Sequence, residues 1–139
     1  MSANEDRTTT GQQAQGTPPA RVAMVTVDCD DPRIEADFWS AALGGTVAHA
    51  DDEYAMVVAE GTTLGFGRVE GHRPPSWPDH DGAKQFHLDL AVPDVMAAQE
   101  VFRGLGATVP EFQPGGERWR VLLDPAGHPF CLTAADAWG

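Results

Sequence analysis

Residues 24–29 alternate in character: the β-branched Val25 and Val27 interleave with Met24, Thr26 and Asp28. That period of two marks a strand with one buried face. The period then changes. Asp31 stands as an N-cap and Pro32 as the first helical residue, where a missing N–H costs nothing because that group has no intrahelical partner. Ile34, Phe38 and Ala41 or Ala42 recur at helical spacing, and Gly44 and Gly45 end the run. The same grammar returns 63 residues on, counted from Asp31 to Asp94. Phe86, Leu88 and Leu90 alternate with His87 and Asp89. Pro93 and Asp94 then open a helix with Val95, Ala98, Phe102 and Leu105 on its inner stripe and Gly106 at its end. Short extended segments follow each helix: TVAHA, YAMVVAE and TTLGFGRV in the first copy, ATVPEF, RWRVLLD and PFCLT in the second. The pattern predicts an α+β fold made of two tandem β-α-β-β-β modules. A unit this small does not bury its own core, so the copies must pack together, and a functional site is expected in the surface they share.

The pattern also divides the chain. Residues 1–20 hold no aromatic or β-branched apolar residue and are rich in Thr, Gln, Gly and Pro, so nothing there offsets the entropy of ordering. A disordered tail is expected there, then one domain over residues 21–139, with module 1 at about 21–69 and module 2 at about 86–134. Between them, residues 70–85 form a proline-rich linker too long for a tight turn. It is read as a spacer or as the cover of a pocket.

Charge and cysteine usage narrow the partners. A formal net charge of -12 repels phosphate backbones and anionic membranes, which excludes nucleic acid and membrane surfaces as expected partners. No apolar run approaches the length of a membrane span. Cys29 and Cys131 fit no finger or Cys-x-x-Cys spacing, and no signal-peptide pattern is read before them. Reduced thiols and a cytoplasmic location are expected.

Two β-α-β-β-β modules, with HLDL starting the second and DPAGHPFCL closing it, resemble the vicinal oxygen chelate superfamily. That superfamily includes glyoxalase I, extradiol dioxygenases, fosfomycin-modifying enzymes and bleomycin-resistance proteins. RVEGHRPPSWPD followed by FHLDL looks like a glyoxalase-like subgroup common in high-GC Gram-positive bacteria. The resemblance implies sheets curled around a cavity with helices on the convex side, and a homodimer paired through exposed sheet edges. Alternation then assigns Val25, Val27, Leu64, Phe66, Leu88, Leu90, Phe130 and Leu132 to the helix side. It sends Met24, Thr26, Gly65, Gly67, His87, Asp89, Cys131 and Thr133 toward the cavity.

Metal-dependent members of the superfamily place a ligand at the start of each module's first strand and a Glu on each module's last strand. The resemblance carries those positions onto Met24, Gly65, His87 and Cys131, of which only His87 matches. A hard divalent cation needs several converging oxygen or nitrogen donors, and neither glycine nor a thioether supplies one. No metal is expected at the usual four-ligand site, and with it glyoxalase I activity is not expected. A zinc or other soft ion on His87 and Cys131, with Asp89, stands as an alternative.

His87 is the candidate general base or acid, with Asp89 two residues on along the same face. A core histidine satisfied by a carbonyl or a water is the bland alternative. Met24, Thr26, Gly65, Gly67, Trp77, Trp119 and Cys131 complete the expected small-molecule site as ligand contacts. Trp77 is placed to fold over the cavity mouth, whereas the face of Trp119 is undecided because arginines flank it. His72, Arg73, Asp79 and His80 are expected in solvent. The readings for function are proton-transfer chemistry of lyase or isomerase type, or sequestration of a cationic or aromatic compound, or an irregular metal enzyme.

Overall fold

The computed structural model describes residues 16–78, 84 and 86–138, and in it the two copies form two separate sheets. Strand β1 (Val25–Cys29) runs parallel to β4 (Thr62–Arg68). β4 pairs antiparallel with β3 (Tyr54–Ala59), and β3 with β2 (Thr46–Ala50), giving the order β1-β4-β3-β2. Helix α1 (Pro32–Leu43) connects β1 to β2. In the second half β5 (Leu88–Val92) runs parallel to β7 (Pro129–Ala134), β7 pairs antiparallel with β6 (Trp119–Leu123), and α2 (Val95–Leu105) follows β5. The halves differ in one strand. ATVPEF makes only a single antiparallel bridge, Thr108 with Leu123, and Pro110 two residues on has no N–H to extend a ladder. Residues 16–20 are exposed and without regular structure; Asp79, His80 and residues 1–15 lie outside the described residues.

Both helices start and stop where the sequence predicts. Asp31 accepts hydrogen bonds from the N–H groups of Arg33 and Ile34 at 3.1 and 3.3 Å, and Pro32 opens the helix. Gly44 ends it in the left-handed conformation at φ 66°, which a side chain would resist. Asp94 caps α2 through the N–H of Ala97 at 3.0 Å. The inner stripe of α1 is rotated from the expected one, with Ile34 51% exposed while Glu35 and Trp39 are buried. Leu105 at the end of α2 is exposed as well.

That rotation sets the packing between the halves. Phe38 and Trp39 of α1 meet Phe102 of α2 and Phe130 of β7, ring centroids 5.1 to 6.1 Å apart in edge-on or tilted arrangements. Such pairs add to the area they bury. The helical sides of the two sheets thus share one core, which also takes in Leu64, Phe66, Leu122 and Leu132.

Candidate functional site

Strand register sorts the second sheet into two faces. Asp89 is paired with Cys131, Cys131 with Val121, and Thr133 with Trp119. Directly paired residues point the same way, so Asp89, Cys131, Val121, Thr133 and Trp119 share one face. The intervening Arg120 turns to the other side, where its Nε donates to Gln99 Oε1 of α2 at 2.6 Å. The side of Trp119 that flanking arginines left open is therefore the side of Asp89 and Cys131.

His87 stands just before β5, its Nε2 3.1 Å from Asp89 Oδ1. The side chains are 25% and 40% exposed, so the pair is reachable but partly shielded. Among the described residues His87, Asp89 and Cys131 form a group whose donor atoms all lie within 4.8 Å of one another. Burial pushes the Cys131 thiol up to about 11; the Lys84 ammonium opposes that rise, and Asp89 adds to it. The thiol is protonated at neutral pH.

Aromatic rings stand over the same face. Trp119 lies against Gly115, where a β-carbon would sit 2.3 Å from the ring, so only glycine admits that stacking. Lys84 places its Nζ 5.1 Å from the ring centroids of both Trp77 and Trp119, and Trp77 also lies 5.9 Å from Phe112. The loop bearing Phe112 and Gly115 is held by Gln113. Its amide donates to the carbonyl of Val121 at 2.8 Å and accepts from that residue's N–H at 2.9 Å, pairing with β6 as a neighbouring strand would. His72 is half-buried rather than solvent-exposed, its Nε2 3.1 Å from the carbonyl oxygen of Ala126.

The first sheet gathers Met24, Thr26 and Gly65 around a residue that sequence reasoning missed. Tyr54 donates its hydroxyl to Met24 Sδ at 3.2 Å. A β-carbon on Gly65 would lie 2.8 Å from Tyr54 Oη, 2.9 Å from Thr26 Oγ1 and 3.0 Å from Met24 Sδ. The place where the resemblance puts a ligand-bearing side chain is therefore filled by the tyrosine. Gly67 has open space above it, and its carbonyl accepts from Cys29 Sγ at 3.6 Å. Among the described residues no hydrogen bond or ion pair joins this group to the His87 group.

This geometry decides the fit of a metal. The first sheet brings a thioether, a threonine and a closed glycine position, so a four-ligand set for a hard divalent cation does not fit. Among the described residues the converging donors are on the second sheet, and they are three: an imidazole, a carboxylate and a thiol.

A cavity of about 190 Å³ lies on the helical side instead, lined by Val25, Val27, Trp39, Leu64, Phe66 and Phe130 among others, with Asp124 and His128 as polar members. Of the site residues named from sequence, His87 alone lines it. Beside its wall sits an ionisable pair. Glu35 is 1% exposed, and its carboxyl oxygens make no hydrogen bond among the described residues. Burial first, then the charge of Asp124, pushes Glu35 up to about 9. Asp124 itself is held by the N–H groups of Ala126 and His128 and by the Trp39 indole.

Signals for the missed residues were thin. Tyr54 is the only tyrosine and Lys84 the only lysine of the sequence, but rarity alone assigns no position in space.

A family profile described as a glyoxalase-like domain matches residues 24–133. No curated protein matches the sequence. Among solved structures, a glyoxalase/bleomycin resistance protein/dioxygenase family enzyme from Burkholderia phytofirmans aligns with a TM-score of 0.61 at 18% identity, over 81% of this chain and 97% of that one. The trypanothione-dependent glyoxalase I of Leishmania major gives 0.60 at 18%, over 86% and 89%. A lactoylglutathione lyase from Agrobacterium tumefaciens gives 0.57 at 20%, over 88% and 99%. At these identities the likeness is one of fold.

Proposed function

Because the chain belongs to the glyoxalase-like domain family, of the vicinal oxygen chelate superfamily, we propose that it is an enzyme of lyase or isomerase type that moves a proton on a small polar organic substrate. The observation that carries this reading is the His87–Asp89 contact of 3.1 Å on a face roofed by tryptophans. Asp89, accepting a hydrogen bond from Nε2–H, orients the ring. The imidazole takes a proton from a carbon next to a carbonyl group. The C–H electron pair becomes the new C=C bond and the carbonyl π pair moves onto oxygen. The imidazolium returns the proton to the former carbonyl carbon while the adjacent hydroxyl passes its own proton to the new alkoxide oxygen, or, in an elimination, it protonates the group expelled from the β-carbon as the carbonyl re-forms. Trp77, Trp119 and Cys131 supply contacts to the ligand, and Met24, Thr26, Gly65 and Gly67 supply the opposing surface.

A homodimer makes that opposing surface available. Among the described residues β1 pairs only with β4 and β5 only with β7, so each leaves one strand edge without a partner. Pairing those edges between two copies would bring the Met24 face of one to the His87 face of the other. Light scattering on the eluting protein should give twice the chain mass at micromolar concentration, and a single-chain mass would remove this part of the reading. The buried free thiols Cys29 and Cys131 support a reducing compartment, the cytoplasm.

The chemistry is tested by incubating the protein with small α-hydroxy and α-keto carbonyl compounds in heavy water and following C–H exchange by NMR. Exchange should occur with at least one compound and vanish in His87→Gln. Exchange that survives the substitution, or none across the panel, overturns the proposal; ligand binding without exchange would leave sequestration of an aromatic or cationic compound. A second reading, a soft divalent ion on His87, Asp89 and Cys131, is favoured by their mutual approach within 4.8 Å. Zinc titration at neutral pH should then release a proton from Cys131 and fail in Cys131→Ser.

A further inference from the structure

We infer that Lys84 is the anion-holding group of this site: its ammonium, clamped between Trp77 and Trp119, takes a carboxylate or enolate oxygen of the ligand. The inference rests on the proton-transfer reading of the second sheet's face and names the ligand class it requires, a carbonyl compound whose oxygen becomes negative as the proton leaves. Three observations carry it. Lys84 is the only lysine of a sequence in which Lys and Arg together number 9, and its Nζ stands 5.1 Å from each of two indole centroids. Ring faces on two sides hold an ammonium in place and displace its water while leaving its charge intact. The sequence carries 21 acidic residues, yet among the described residues no carboxylate is ion-paired with Lys84.

Its position supports the same role. Trp119 shares its face with Asp89 and Cys131 through the β6–β7–β5 register, so a cation over Trp119 stands over the face that carries the proposed base. Burial and charge around Cys131 agree, since the ammonium acts on that thiol. The neighbouring Arg120 is committed elsewhere, to Gln99 Oε1 and the carbonyl of Gly116. A lysine suits the task because its charge is compact and its three donors rotate to meet a single oxygen. A fixed cation at that point gains as negative charge grows on the oxygen, the electrostatic work for which the first sheet provides no hard metal donors.

Oxalate, a planar dianion shaped like an enediolate, is the probe, and the indoles flanking Lys84 provide a fluorescence readout. Oxalate should quench the wild-type protein saturably. Lys84→Met should weaken binding by about 10- to 100-fold, the range of a charge-assisted contact, while Lys84→Arg should stay within roughly threefold. Circular dichroism of each variant checks that the fold is kept. Equal affinity in Lys84→Met overturns the inference, as does absence of oxalate binding to the wild type. Tetramethylammonium binding only to Lys84→Met also overturns it, because the slot would then be a cation site that the lysine fills. The two failures separate. Oxalate binding that ignores Lys84 while proton exchange still needs His87 removes this inference alone; binding that needs Lys84 while His87→Gln still exchanges removes the proton-transfer reading alone.

Discussion

The indole Nε1 of Trp39 donates to Asp124 Oδ2 at 3.1 Å, joining helix α1 of the first half to the turn that precedes β7 in the second. The bond is buried, so breaking it strands a carboxylate oxygen away from water. Trp39→Phe keeps most of the ring contacts with Phe38 and Phe130 and removes only the donor. Urea denaturation should show a loss of about 2 kcal/mol. A loss near zero would mean that the bond contributes nothing between the halves.

Glu35 makes stability depend on pH. Its carboxyl is raised from an ordinary 4.5 to about 9 by burial and by Asp124, so the folded state binds a proton that the unfolded state releases. Stability is therefore highest below about pH 4.5 as far as this group is concerned, and falls as pH rises toward about 9. The proton belongs to the Glu35–Asp124 pair as a unit. Glu35→Gln should flatten this slope and stabilise the protein at pH 8 by on the order of 3 kcal/mol. Parallel pH profiles for variant and wild type would contradict the assignment.

Gly65 is required by its neighbours rather than by its backbone. Adding a methyl group puts it 2.8 Å from Tyr54 Oη, and the crowding should cost Gly65→Ala about 2 kcal/mol in a denaturation experiment. Tyr54→Phe removes the nearest atom. The double variant should lose less than the two single losses combined, and strict additivity would show that the tyrosine is not what closes the position.

Both thiols should be slow nucleophiles. Burial raises Cys29 and Cys131 from 9.0 to about 11, which lowers the thiolate fraction near pH 8 by about 100-fold. Native protein should therefore react with iodoacetamide far more slowly than protein in urea. Rapid alkylation of Cys131 in the native state would point to a reactive thiol and to a different role for it.

Much of the fold was legible along the chain because it follows local rules. The β1 strand, the Asp31 and Asp94 caps, Pro32 and the helix-ending Gly44 depend on neighbours within a few residues and are where the pattern places them, but the buried face expected of β1 is incomplete, with Val25 43% exposed. His87, Asp89 and Cys131 come together on one face because residues paired across parallel strands keep their parity. The second strand expected in the second half is reduced to one bridge, since ATVPEF has strand-like composition but its proline stops the ladder after Thr108.

What the sequence determined by itself was a duplicated β and α pattern and an imidazole two residues before a carboxylate on one strand face, because periodicity and capping are short-range effects written into adjacent residues. What only the tertiary structure decided was the burial of Glu35 against Asp124, the face taken by Trp119, the tyrosine filling the space above Gly65 and the lysine held between two indoles. Each of these is a contact between residues far apart in the chain, set by how sheets register and helices turn to fill a shared core, and no local pattern encodes that choice.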